Sequence, residues 1–439
     1  MQNLFNRRIE YAIFLVFCMA IFSVNLYINF IKYHKFMQRG EHNVVAKVKL
    51  DYIKTNANGR SYRLLLLDND EFKFYTTVSK NKAIKVGDIL HLAVQNIDVS
   101  FTDYLRGTFY MPSYERINLS TRNDINLEQN LTNTHNPNLQ PSLRQSLNER
   151  AIKFISSQHE SPKISQLYSA LFFGTAVFGE LRDDVAHCGI AHLIAISGYH
   201  LSVIFGTLFL LMAPIYRVFS QHYAPYRNYK FDISIVAFGI IVFYFYLIGF
   251  ISSFVRAFAM SMFGFYLICR GLKVLSFTTL FMICCFCIAL FPSLALDIRF
   301  YFSIAGVFYI FLYLHHFKDK FNILMHSILL NFYVFFTMQV IILYFFPLIS
   351  FQQFAVIPLS YAFIVFYPLT ALLHAFGFGG VFDEYLLSLL NFRIGESSLE
   401  VSFLAFITYN IISLLAIKFK SLALFLALIG AATFGVLII

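Results

Sequence analysis

Long apolar runs dominate the second half of this chain and limit what it can become. From Gly189 onward they come in series, at 189–213, 232–250, 252–269, 275–291, 297–314, 323–346, 354–376, 399–417 and 421–438. Each is close to the ~20 residues that a helix needs to cross a bilayer. An earlier run, Tyr11–Ile31, has the same character and no small-residue cleavage motif, so it reads as a first span rather than a removable leader. Charged residues are 13% of the 439, against ~25% in soluble domains, and mean hydropathy is +0.64. The expected fold class is a multi-pass α-helical membrane protein of about ten spans.

Between the first run and the rest the sequence is polar. Val44–Thr55, Tyr62–Val78 and Ile89–Phe101 are rich in β-branched and aromatic residues, with turn signals at Asn58-Gly59, Asp68-Asn69-Asp70 and Gly87-Asp88. Four or five strands without a helical period suit a small β-barrel of the OB-like kind, with a β-sandwich fragment as the alternative. Residues 118–148 are rich in Asn, Gln, Ser and Thr and bury little, which predicts a flexible linker. Two amphipathic helices are expected next, at 143–158 and 163–178, lying on the membrane surface. The expected organisation is an N-terminal transmembrane helix (1–40), an OB-like extracytoplasmic domain (41–117), the linker (118–148), surface helices (149–188) and a polytopic channel domain (189–439).

Short-loop charges set the orientation. Arg217, Arg227 and Lys230 follow the second span, Arg270 and Lys273 the fourth, and Lys318 and Lys320 the sixth, while the loops between carry no Lys or Arg. Basic loops belong in the cytoplasm, which puts 32–188 outside. Lys418 and Lys420 break the alternation, and an extra or re-entrant span within 382–395 would restore it. Lys32, Lys35 and Arg39 also fall on the wrong side of the first helix.

With this orientation His192 lies just inside the outer end of the second span. His200 lies roughly 17 Å deeper than the start of that run, too deep to reach the headgroups. Ser197-Gly198 between them marks either a small-residue helix contact or a local break in the helix, tolerated only where it is buried or lines a cavity. Arg256, Asp297 and Arg299 sit near the outer ends of other spans; either arginine could simply snorkel to the surface. Taken together, His192, Ser197, Gly198, His200, Arg256, Asp297 and Arg299 outline a polar, partly cationic vestibule that opens outward and admits an anionic or polar solute. Ser197 and His200, three residues apart, are also the candidates for an intramembrane serine hydrolase, though no nucleophile elbow accompanies them. A secondary transporter of small anions is a further alternative. The six cysteines and the histidines have no metal-ligand spacing, and no phosphate-binding loop is present, so no metal, cofactor or built-in nucleotide motor is expected.

GIAHLIAISGYHLSVIFG, residues 189–206, resembles the signature of the ComEC-type competence DNA-uptake channels through His192, Leu193, Ala195, Ile196, Ser197, Gly198 and His200. ALFFGTAVFGELRDDVAHCG (170–189) is similar to the lead-in of that family. GFISSFVRAFAM (249–260) is similar to its Arg-Ala helix start, and FPSLALDIRFYFSIAGV (291–307) to its Pro…Asp…Phe…Ser segment. Tyr199, Ser202, Arg299 and Tyr301 depart from the usual pattern, and no H-x-H-x-D-H follows. The resemblance therefore implies a short form lacking the C-terminal metallo-β-lactamase-like domain.

By that resemblance the protein is a non-enzymatic inner-membrane channel that passes single-stranded DNA to the cytoplasm during natural transformation. The implied partners are single-stranded DNA, the lipid bilayer, a periplasmic DNA-receptor protein and a cytoplasmic ATPase or single-strand-binding protein. OB-folds hold single strands with basic grooves and stacking aromatics. Lys47, Lys49, Lys54, Arg60, Arg63 and Lys73 are the candidate DNA-binding cations of the outer domain, with Tyr52, Tyr62, Phe72, Phe74 and Tyr75 available either for stacking or for the core.

Overall fold

The computed structural model describes residues 8–55, 61–69, 72–78, 84, 89–120, 143–223, 226–248, 252–270, 276–318 and 322–437. These fall into two compact units, one of 8–120 with 282–298 and the other of 143–281 with 299–437.

The first unit starts with helix α1 (Arg8–Gln38), longer than the apolar run predicted. Its membrane-length part turns Ile13, Val16 and Met19 outward at 63–69% exposure. Its last turn instead inserts Phe36, 7% exposed, into the core of a sheet. That sheet contains β1 (Glu41–Thr55), β2 (Ser61–Asp68), β3 (Lys73–Val78), β4 (Ile89–Gln95), β5 (Thr108–Tyr110) and β6 (Ser113–Ser120) in the order β5-β3-β2-β1-β4-β6. The long β1 pairs antiparallel with β4 through its first half and with β2 through its second. One face is dry: Val44, Ala46, Val48, Leu65, Leu67, Phe74, Leu90, Leu92 and Val94 alternate inward at 5% exposure or less. Helix α2 (Phe101–Arg106), capped by Ser100, joins β4 to β5.

Among the described residues β5 and β6 do not pair, so the sheet is not the closed barrel that was expected. The segment 62–78 holds two antiparallel strands, β2 and β3, divided where the Asp68-Asn69-Asp70 turn signal lies. The linker expectation falls mainly on 121–142, outside the described residues; 118–120 belong to β6.

The second unit is helical. Helices α3 (Leu143–Ser156), α4 (Pro162–Phe173), α5 (Glu180–His187) and α6 (Ala191–Ile194) are short. Then come α7 (Gly198–Tyr223), α8 (Tyr229–Ile248), α9 (Ser252–Cys269), α10 (Phe277–Leu290, shared with the first unit), α11 (Ile298–Phe317) and α12 (Ile323–Phe345). A two-stranded ribbon of β7 (Leu348–Ser350) and β8 (Glu396–Ser398) encloses α13 (Val356–Ala375) and α14 (Asp383–Asn391). Helices α15 (Phe403–Leu415) and α16 (Lys420–Thr433) finish it.

Among the described residues six helices are long and apolar enough to cross a membrane, and four more apolar helices, at 257–269, 277–290, 403–415 and 420–433, are shorter. Exposed Leu210, Leu211, Ile215 and Val218 on α7, at 62–75%, form an apolar face suited to lipid. The protein is a membrane protein.

Three expectations change. The run at 189–213 is not one helix, since α7 starts only at Gly198 and reaches Tyr223. Helix α4 is not a surface helix: Ile164 and Leu167–Phe172 are all buried, because its apolar side meets α5, α6 and α13. The segment 382–395 contains nine-residue α14, too short to span.

Candidate functional site

The signature residues form an interrupted helix. Gly189 has φ +69°, and a Cβ there would lie 3.1 Å from the Gln353 side chain, so glycine is needed both for conformation and for space. One helical turn, α6, follows. The chain then extends at Ala195 (φ −65°, ψ 126°), and Ile196 turns into the core at 3% exposure. Helix α7 restarts at Gly198, where a Cβ would stand 3.6 Å from that of Ala257 of α9, an ordinary contact, so space does not demand glycine there. Ser197 and Gly198 thus mark the break and the restart of the helix.

The polar groups around this break have different surroundings. His192 is exposed. His200 is 0% exposed, with its ring edge-on to Phe363 (5.0 Å) and Tyr367 (5.1 Å) of α13. Its Nδ1 lies 3.3 Å from Ser197 Oγ, which also accepts the Tyr199 N–H, and its Nε2 meets no hydrogen-bonding partner among the described residues. A buried nitrogen without a partner is costly, which marks the position as one that packing alone does not explain.

The Arg256 side chain lies outside the described residues, although its backbone is in α9. Asp297 caps the 3-10 turn Pro292–Leu296 and is half-buried, and Arg299, in α11, is exposed. The two fall in different units.

Of the outer-domain cations, Lys73 is exposed on β3, while Arg63 donates to the Ile84 carbonyl at 2.6 Å. The side chains of Lys47, Lys49 and Lys54, and all of Arg60, lie outside the described residues. Phe74 is core at 0% exposure, and Phe72 packs against it. A cavity of about 440 Å³ in this unit is lined by Tyr75, Tyr110, Asp98 and Asp103 among others, a carboxylate-bearing wall rather than a basic groove.

Sequence reasoning missed a polar network beneath the break. Asp184 of α5, 3% exposed, pairs with Lys163 of α4 and, at 2.7 Å, with Arg393 after α14. Burial pushes its carboxyl up, but the hydrogen bonds and charges of Lys163 and Arg393 outweigh that and hold it below the ordinary carboxylate range. Beside it, burial pushes the Cys188 thiol up to about 11, leaving it unreactive at neutral pH.

His187 stands between Glu396 Oε2 (3.0 Å from Nδ1) and Ser350 Oγ (3.2 Å from Nε2), the order of groups in a serine hydrolase. Ser350, however, is 0% exposed and donates to the Ile394 carbonyl at 2.9 Å, so its hydroxyl ties strand to loop. The only hint in the sequence was polar residues isolated among apolar ones. Apart from Lys163, 21 positions before Asp184, their partners are more than 150 positions away.

A model of the competence protein family matches residues 172–439, from the end of α4 through the interrupted helix and onward. This chain belongs to the competence protein family. No curated protein and no solved structure matches it. The competence family implies a role in DNA uptake at the membrane, and the interrupted helix lies inside the matched region, as does the polar network beside it except Lys163.

Proposed function

We propose that this competence-family protein passes one strand of DNA across the inner membrane into the cytoplasm during natural transformation. The family match over 172–439 carries this reading. The break at Ala195–Ser197 supports it, because backbone without helical pairing is tolerated at membrane depth only where it is enclosed by protein or lines a passage. The path runs past His192, Ser197, Gly198, His200 and Arg256. In the described arrangement Phe363 and Tyr367 cover His200, so opening this path means parting α7 from α13. The sheet unit lies outside the cytoplasm, where Lys73 offers one cation to an arriving strand.

The test is loss of the protein, scored for where labelled DNA goes. Cells without it should bind DNA and hold it outside, sensitive to added nuclease, with none in the cytoplasm. Normal arrival of labelled strand in the cytoplasm would end the reading. Coupled uptake of a small anion by the purified protein would instead favour a secondary transporter.

A further inference from the structure

Away from the signature, three titratable side chains from distant parts of the chain meet at the end of α13. His159, in the turn between α3 and α4, has a fully buried side chain. Its Nδ1 lies 3.0 Å from both carboxylate oxygens of Asp383, the first residue of α14, and its Nε2 lies 3.0 Å from Nε2 of His374. His374 Nδ1 lies 2.6 Å from the Thr370 carbonyl.

These distances fix the number of protons. A carbonyl only accepts, so His374 Nδ1 carries a hydrogen. An ionised carboxylate only accepts, so His159 Nδ1 carries another. Two bare nitrogen lone pairs at 3.0 Å would repel, so a third hydrogen lies between the two Nε2 atoms. Two neutral imidazoles hold two hydrogens, and this pair holds three. We infer that His159, His374 and Asp383 form a binding site for one proton, which locks the α3–α4 turn to the end of α13 and the start of α14.

The surroundings fit such a lock. Gln158 donates to the His374 carbonyl (3.0 Å) and accepts the Gly379 N–H (2.8 Å), so the neighbouring backbone closes over the same spot. A Cβ at Gly379 would come within 2.7 Å of the His374 ring, so only glycine lets the turn sit there. From α4, Tyr168 stacks on His159 at 4.7 Å and lies 4.5 Å from His374, and Phe172 closes on His374 at 5.2 Å. Asp383 is the carboxyl group in contact with the pair; Glu160, next to His159 in the chain, and Glu384, next to Asp383, are exposed. Through α4 the site shares a core with the interrupted helix: Tyr168 and Phe172 belong to one cluster with Leu193, Ile194 and Val203. The lock holds while the extra proton is bound and opens as pH rises past the point where it leaves.

The experiment uses the full chain in lipid vesicles with 15N-labelled histidine, assigned by difference against His159→Gln and His374→Gln. The four ring nitrogens should carry three hydrogens at low pH and two above a single one-proton step, with an N–N coupling across the shared hydrogen below it. Asp383→Asn should lower the midpoint of that step by about one pH unit or more, a roughly tenfold weaker hold on the proton. Amide exchange at 156–160 and 379–384 should quicken together above the step. Two hydrogens on the four nitrogens throughout the range from about pH 5 to about pH 9 would overturn the proposal. So would an unmoved midpoint in Asp383→Asn, or resonances that shift on adding a metal chelator. If a variant fails to fold, the coupling and the proton count in the wild-type chain decide alone.

Discussion

His200 and Asp184 are both buried polar side chains, but with opposite accounts. Asp184 is satisfied by Lys163 and Arg393, so its role is to hold α5 to α4 and to the segment after α14. Asp184→Asn should lower stability by roughly 2 kcal/mol, since both cations lose their counter-charge; unfolding in detergent measures it. Because its carboxyl is held below the usual range, this support is complete above the pKa of an unfolded aspartate and is lost as pH falls through the lower folded value. The variant should therefore be less acid-sensitive than the parent. His200 keeps one ring nitrogen without a partner, which packing does not reward. His200→Phe keeps the ring against Phe363 and Tyr367 and removes the imidazole. It should insert normally and abolish transformation, as should Arg256→Ala. Normal transformation in His200→Phe would leave that residue a packing role only.

At the scale of elements, periodicity and length were legible where one side chain type dominates. Most of the apolar runs read correctly as helices, the run at 189–213 being the exception, and Ser161-Pro162 correctly separated α3 from α4, because proline at the first turn of a helix has a local cause. The alternation in β1 and β4 likewise announced a half-buried sheet. Two things had no local cause. Whether the six-stranded sheet closes depends on its two end strands meeting, which no single strand encodes. Whether α4 lies at a surface depends on what covers its apolar side, and α13 arrives nearly 200 residues later.

The same holds for the packing of α16 on α12. Gly430 lies so near the Phe336 carbonyl that a Cβ would have to displace backbone. Gly430→Ala should push the two helices apart and cost about 1–3 kcal/mol, read as a lowered unfolding temperature. A gain in stability, as expected for alanine in an uncrowded helix, would show that the contact is loose.

For the whole molecule, the sequence led correctly to a membrane-embedded competence protein, since composition and the 189–206 signature are local. It could not place His159 against His374 and Asp383, since those two lie more than 200 positions further along. Transport itself has an energetic constraint. A cytoplasm-negative potential opposes each phosphate by about 2.3 kcal/mol per 100 mV, and the sequence contains no phosphate-binding loop to drive a motor. Purified protein in vesicles should therefore show no sustained inward movement of DNA against such a potential until a cytoplasmic ATPase or an internal strand-binding protein is supplied. Sustained uptake without either would refute this.

Asn25 of α1 donates to the carbonyls of Ala289 and Leu290, 264 and 265 residues further along. A ribosome adding about 5–20 residues per second reaches them only after tens of seconds. Until then the amide of the first inserted helix has no permanent mate in the lipid. Biogenesis of this protein thus contains a waiting interval, during which an insertase or a bound headgroup must shield α1 or quality control will find it.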